Sequence, residues 1–370
     1  MLKHRKWVIF ILYNFIAVTI IFLIVEGLFS TAIVVYRIYT SVPLAERLHT
    51  EHDETLGWIN LPNIYVKDMY GTGIYFRTNG QRFRNNNEIS LQTQSNKLRI
   101  ICSGDSFTLG YGVDNDHTWC QQLNSINGRL ETVNMGQGGY GIDQAYLWYK
   151  RDGSKLNHDI MIFAFITEDF KRMQLEYFAG YGKPMLIFNN GVLQTKNVPV
   201  FKPSPFNIRL NRYKPIISNL CSINVLSKLF ARRPPVSDNQ NDQQTREVAL
   251  RILQELYKIN NSKNSILILL YLPTDEDYFS HKSDHWRQFI HFEASKHGLL
   301  FIDMIDEFRK LPLHFVETMF IKEGMVDFHG AKGHYTNEGH LYIAETLYNK
   351  LLKIPEVPNK IKQKLIYSER

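Results

Sequence analysis

The segment Leu98–Gly110 reads LRIICSGDSFTLG. Its first half is a short, almost wholly apolar run, the pattern of a strand buried on both faces. Its second half is a turn, Gly104-Asp105, running into a helical stretch. Similar runs follow at Thr132–Met135, Ile160–Ile166, Ile266–Leu272 and Leu299–Ile302, with helical patterns between several of them. Thr245–Lys258 carries Val248, Ala249, Ile252, Leu253 and Leu256 on one helix face. Strands alternating with helices predict an α/β domain whose parallel sheet is covered on both sides.

Around this core the chain divides by composition. Residues 41–96 are polar and turn-rich with short alternating runs, and predict a membrane-proximal segment of short strands packed onto the later core. Between Lys171 and Gln244 the alternation lapses into aromatics, prolines and the polar run 237–244 (SDNQNDQQ), which predicts an insertion at about 171–244 ending in a flexible loop. Residues 353–370 form a C-terminal tail. At the other end, residues 7–36 contain no Lys or Arg and follow the basic cluster Lys3, Arg5, Lys6. About 20 apolar residues cross a bilayer, so residues 1–40 read as a cytoplasmic stub and a single transmembrane anchor in contact with lipid through residues 7–36. A cleaved signal peptide is the rival, with Ser30-Thr31-Ala32 as a loose cleavage site, but the apolar run continues past it. The positive-inside rule then places everything after the anchor outside the cytoplasm, periplasmic or at the cell surface.

The 370 residues carry 43 Lys+Arg against 36 Asp+Glu, a net +7. Three of these positive residues lie in the first six and no clustered basic face follows, so nucleic acid is not an expected partner. The three cysteines, Cys102, Cys120 and Cys221, have no metal-ligand spacing, and His49, His52 and Asp53 read as a solvated loop, so neither a metal nor another cofactor is expected.

Three segments carry chemistry. Ser106 opens the helix after the first strand, where a ligand of a parallel sheet binds and where main-chain N–H groups are free. The run Asn134-Met135-Gly136-Gln137-Gly138-Gly139-Tyr140-Gly141 follows the second strand, a glycine cluster suited to an oxyanion hole or, alternatively, a phosphate cradle. Gly333-His334 and Gly339-His340 precede the helical run 341–352. A His there reaches across the top of the sheet toward Ser106, although His329 and His340 read equally well as solvated. Aromatic residues between Phe178 and Phe206 suit either a carbohydrate-stacking surface or core, and Asp303 and Asp306 read as helix-start residues.

Taken in this order, the Gly-Asp-Ser block, the Asn-x-Gly-x-x-Gly-Tyr-Gly block and the closing Gly-His block resemble the SGNH (GDSL-type) hydrolase family over residues 97–352. The segment 181–200 and the anchor also look like its membrane-anchored bacterial members. The resemblance implies a three-layer α/β/α, flavodoxin-like fold. It further implies Ser106 as nucleophile, its N–H and that of Gly139 as oxyanion donors, and His334 as general base. Its implied activity is ester hydrolysis or acyl transfer, with an acylated envelope or extracellular glycan as substrate. No GxSxG elbow is present to support an α/β-hydrolase instead.

Two positions depart from the family. Glu168, with Asp169 after it, stands where an Asn completes the oxyanion hole. An anion there opposes the oxyanion, so Glu168 is expected to be protonated, turned away or otherwise employed, and Glu168→Asn to speed acylation near neutral pH. Ala331 stands where an Asp orients the histidine, leaving Asp327 or a main-chain carbonyl to substitute; Asp105 is a further carboxylate at the site. These departures support an alternative in which the chain is a catalytically weak, SGNH-shaped binding or assembly protein for envelope polysaccharide.

Overall fold

In a computed structural model the chain is described over residues 2–40, 46–202 and 238–368. It forms two units, Met1–Pro43 with Pro203–Pro234, and Leu44–Lys202 with Pro235–Arg370. Cys221, Phe206 and most of the second half of the expected insertion lie outside the described residues.

The described part of the first unit is one helix, Leu2–Thr40. Within it Arg5–Ala32, 28 residues, is long and apolar enough to cross a membrane. Trp7, Phe15, Phe22 and Phe29 are all exposed along it. Its polar side chains bond to the preceding turn: Asn14 Nδ2 donates to Phe10 O at 2.8 Å and Thr19 Oγ1 to Phe15 O at 2.8 Å. Such returns remove most of the cost of carrying these groups into hydrocarbon.

The second unit is built on five strands: β1 (Leu98–Gly104), β2 (Leu130–Gly136), β3 (Ile160–Phe165), β4 (Ile266–Tyr271) and β5 (Leu300–Asp303). Their order is β5-β4-β3-β1-β2 and every pairing is parallel. This is the flavodoxin-like 2-1-3-4-5 arrangement, with the predicted runs as strands to within two residues at each end.

Strand alternation sorts the side chains into two cores. Ile101, Met161, Phe163, Leu267 and Leu269 pack with Trp148, Ile252, Leu256 and Ile290 on one face. On the other, Ile100, Cys102, Ile162, Ile268 and Leu270 pack with Trp119, Leu123, Ile343 and Leu347. Helices therefore cover both faces, which is why the strands read as continuous apolar runs. The chain order reverses between β1 and β3, and the crevice beyond their C-terminal ends is the switch point where this class of sheet binds ligands.

One expectation needs correction. Asp238–Asn261 is a single helix, so the polar run from Asp238 to Gln244 is its first two turns rather than a loop. Acidic residues suit a helix N-terminus, Asp242 pairs with Arg246 at 3.3 Å, and the buried face from Val248 to Leu256 drives the helix they extend. Within the expected insertion, residues 177–196 form two antiparallel hairpins (Tyr177–Phe178 with Tyr181–Gly182, and Met185–Asn189 with Val192–Lys196).

The segment 46–96 forms two short antiparallel pairs and lies against the loops at the top of the sheet. Trp58 Nε1 donates to Gly138 O at 2.9 Å, and Tyr140 Oη donates to Trp58 O. Arg84, fully buried, gathers the chain that follows the Ser106 helix: Nη1 donates to the carbonyls of Leu109 (2.7 Å) and Gly110, Nη2 to that of Val113, and Nε to Asn115 Oδ1 at 2.9 Å. Its guanidinium also lies 4.8 Å from the Phe76 ring centroid. Arg84→Met keeps the packed stem and deletes the donors, orphaning the Gly110 and Val113 carbonyls at about 1–3 kcal/mol each and leaving Leu109 O only the 3.5 Å bond from Asn134 Nδ2. Thermal or denaturant unfolding of the full chain in detergent is expected to show a loss of roughly 3 kcal/mol or more.

Candidate active site

β1 ends at Gly104, where a Cβ would come within 2.3 Å of Thr108 Oγ1 and 2.7 Å of Ala164 O. Only glycine lets the turn close this tightly. Asp105 then caps the short helix Ser106–Leu109, its Oδ1 accepting the Phe107 N–H at 2.9 Å. Ser106 is left in the first turn, nearly buried, with its hydroxyl at the end of the sheet.

The closing segment brings His334 to it. Thr336 caps the helix Asn337–Leu351 by accepting the Gly339 N–H, and the loop before that cap places His334 Nε2 2.7 Å from Ser106 Oγ. His334 Nδ1 lies 3.2 Å from the carbonyl of Ala331. A carbonyl only accepts, so Nδ1 carries the proton and Nε2 presents its lone pair to the Ser106 hydroxyl. Asp327 is exposed, its N–H donating to Tyr70 O at 2.8 Å, and it does not reach the imidazole. The carbonyl of the 3-10 turn His329–Ala331 stands in the orienting position instead.

The second block supplies main-chain donors. Gly139 has φ +74°, and a Cβ there would lie 2.5 Å from the Phe178 ring. Neither the Ser106 nor the Gly139 N–H has an acceptor among the described residues. Phe178 in turn stacks on Trp58, with Tyr181 beside it, forming an aromatic wall next to the glycines.

Glu168, for which turning away was one of three expectations, is turned outward: its side chain is 44% exposed and pairs with Lys171 at 3.7 Å. Asp169 turns inward, Oδ2 accepting the Ile166 N–H at 3.0 Å and Oδ1 meeting Arg172 Nη1 at 2.6 Å. The same Nη1 reaches Asp105 Oδ2 at 3.0 Å and Tyr140 O at 3.2 Å. Burial, with the Asp105 charge acting the same way, pushes the Asp169 carboxyl well above its usual range. Arg172 is the residue the sequence does not flag, since a lone Arg ending a short helix has no distinguishing pattern.

The remaining candidates have other places. His340 is buried and its Nδ1 accepts the Trp119 N–H at 3.1 Å, while His329 is exposed beside Glu323 at 2.7 Å. His49 is buried against Phe76 with the two rings tilted at 52°, and Asp53 pairs with Arg151 at 2.7 Å. Asp303 Oδ1 accepts the Ile305 N–H, and Asp303 and Asp306 both pair with Arg287. Cys102 and Cys120 are buried free thiols. Among the described residues no cluster of His, Cys, Asp or Glu is placed to hold a metal ion.

No protein-family model matches the chain, and no curated protein matches it. Solved structures similar to it include a member of the lipolytic G-D-S-L family from Veillonella parvula, 12% identical with a TM-score of 0.37, over 70% of this chain and 97% of that one. A lipase/acylhydrolase from Enterococcus faecalis is 10% identical with a TM-score of 0.38, over 69% of this chain and 95% of that one. A two-domain esterase active on acetylated mannans is 10% identical with a TM-score of 0.39, over 70% of this chain and 49% of that one.

Desolvation against Phe107 and Tyr111 lowers His334 to about 4, outweighing the opposing pull of the Asp105 charge. The imidazole is therefore neutral, and able to accept a proton, from neutral pH down to about 4. Its ring Cε1–H resonance is expected to titrate with a midpoint near 4 rather than near the ordinary value of about 6.5. An unfolded chain takes up this proton at higher pH than the folded one. The His334 contribution to stability is thus present above the unfolded value and lost as pH falls toward about 4.

Proposed function

We propose that this chain is an SGNH-type serine esterase or O-acyltransferase, anchored in a membrane by its N-terminal helix and acting outside the cytoplasm. The observation that carries the reading is the 2.7 Å contact between Ser106 Oγ and the unprotonated Nε2 of His334. His334 Nε2 takes the hydroxyl proton as Ser106 Oγ bonds to the carbonyl carbon of an acyl ester. The carbonyl oxygen becomes an oxyanion facing the Ser106 and Gly139 N–H groups. Collapse breaks the ester C–O bond, the leaving alcohol takes the proton from His334, and the acyl group remains on Ser106. Water or an acceptor hydroxyl, deprotonated by His334, then removes it.

A main-chain carbonyl fixes the histidine tautomer as a carboxylate would, but it does not offset the charge of the imidazolium that forms. The dyad therefore works without its usual acid, at some cost in rate. The substrate we propose is an acyl ester on an envelope or extracellular glycan. Support for the compartment comes from the Lys3, Arg5 and Lys6 cluster ahead of the apolar helix.

A fluorophosphonate probe is expected to label the peptide containing Ser106, read by mass spectrometry. Absence of labelling and of turnover would favour the polysaccharide-binding alternative.

Ser106→Ala and His334→Ala are each expected to abolish hydrolysis of a short acyl ester, with the double variant little worse than either single because the two act as one unit. Strictly additive losses would separate them.

Because Glu168 faces solvent, Glu168→Asn is expected to change kcat by no more than about twofold, as for an ordinary surface substitution. A large gain in steady-state ester kinetics would put its carboxylate back at the oxyanion.

A further inference from the structure

With Glu168 turned outward, the site has two main-chain oxyanion donors and lacks the side-chain donor that the esterase reading calls for. Arg172, four residues further along the same helix, is folded toward the site instead. Its Nη1 lies 3.0 Å from Asp105 Oδ2, which is itself 3.5 Å from Ser106 Oγ. The same nitrogen lies 3.2 Å from the carbonyl of Tyr140, the residue after Gly139. The guanidinium is thus bracketed by the nucleophile on one side and the glycine donors on the other. Phe178 fixes both, its ring centroid 5.3 Å from the guanidinium carbon and its edge in the space a Gly139 side chain would fill.

How the guanidinium spends its hydrogens is the telling point. All of its hydrogen bonds to Asp105, Asp169 and Tyr140 run through Nη1. Nε and Nη2, three of the five N–H donors of an arginine, have no acceptor among the described residues, and 16% of the side chain remains exposed. An arginine whose sole task was to neutralise two buried acids would meet them through two of its three nitrogens, fork to fork. We propose that Arg172 is the side-chain donor of the oxyanion hole, offering these unspent N–H groups to the oxygen that becomes negative when Ser106 is acylated. The inference rests on the esterase reading above.

The test uses the full chain in detergent. Arg172→Gln, Arg172→Lys and the double variant Arg172→Gln with Asp169→Asn are compared with wild type on p-nitrophenyl acetate. The double variant removes one of the two acids that Arg172→Gln would leave facing a neutral side chain, and a melting curve checks its fold. Arg172→Gln and the double variant are expected to lose about 10²–10³ in kcat with KM changed only a few-fold, the size of loss when one oxyanion donor goes. Arg172→Lys is expected to recover part of that loss, since it keeps the charge and loses the fork. A folded double variant with kcat within a few-fold of wild type overturns the inference.

One further measurement needs no variant to fold. In wild type phosphonylated at Ser106, whose phosphoryl oxygen mimics the oxyanion, an arginine side-chain ¹⁵N–H resonance assigned to Arg172 is expected to shift. An unmoved Arg172 resonance on a labelled protein overturns the inference and leaves the esterase reading standing. Wild type that neither turns over nor labels overturns the esterase reading itself, and this inference with it.

Discussion

Asp105 uses two oxygens to join two loops: Oδ1 caps the helix that carries Ser106, while Oδ2 takes Arg172 Nη1 and lies 3.5 Å from the Ser106 hydroxyl. A buried carboxylate without a cation is costly by several kcal/mol, so its position obliges the helix after β3 to send Arg172 inward. Arg172 then accepts two further duties, pairing with Asp169 and holding the Tyr140 carbonyl of the loop after β2. The loops after β1, β2 and β3 are therefore clamped by one charge and its partner. The serine, the glycine N–H groups and the guanidinium derive their mutual geometry from that clamp.

A second constraint acts from outside the sheet. Arg84, from the segment preceding β1, satisfies the carbonyls of the chain between Leu109 and Val113. Trp58, from the same segment, is hydrogen-bonded to the loop holding Gly138 and Tyr140. Loops at the end of a parallel sheet carry exposed main-chain groups that something must satisfy. Here residues 46–96 do it, which explains why a polar, turn-rich stretch is ordered at all.

The five strands were legible because a parallel strand buried on both faces must be apolar throughout, and turn residues bound each run. The helix from Asp238 was half legible. Its apolar face from Val248 was plain, but its polar first turns have the composition of a loop and become helical only as an extension of that face. That a histidine of the closing block reaches Ser106, 228 residues away, was legible from its place before the last helix, but the choice of His334 came from the resemblance. Arg172 was invisible because its meaning lies in which carboxylates the fold brings to it. Sequence left Asp327 and a main-chain carbonyl open as partners of His334, and only the path of the loop through Ala331 distinguishes them.

That carbonyl has a bearing on how this site drifts under mutation. A catalytic acid carried on a side chain is one codon from loss, whereas a peptide oxygen belongs to whatever residue stands at 331. The orienter is thus protected from direct substitution and exposed to indirect damage, through any change that bends the 329–331 turn. Ala331 itself is sealed, its Cβ 3.1 Å from where a side chain at Gly112 would begin. Placing an acid at 331 would put a charge into a space already closed, so this turn can offer the imidazole a peptide oxygen but not a carboxylate.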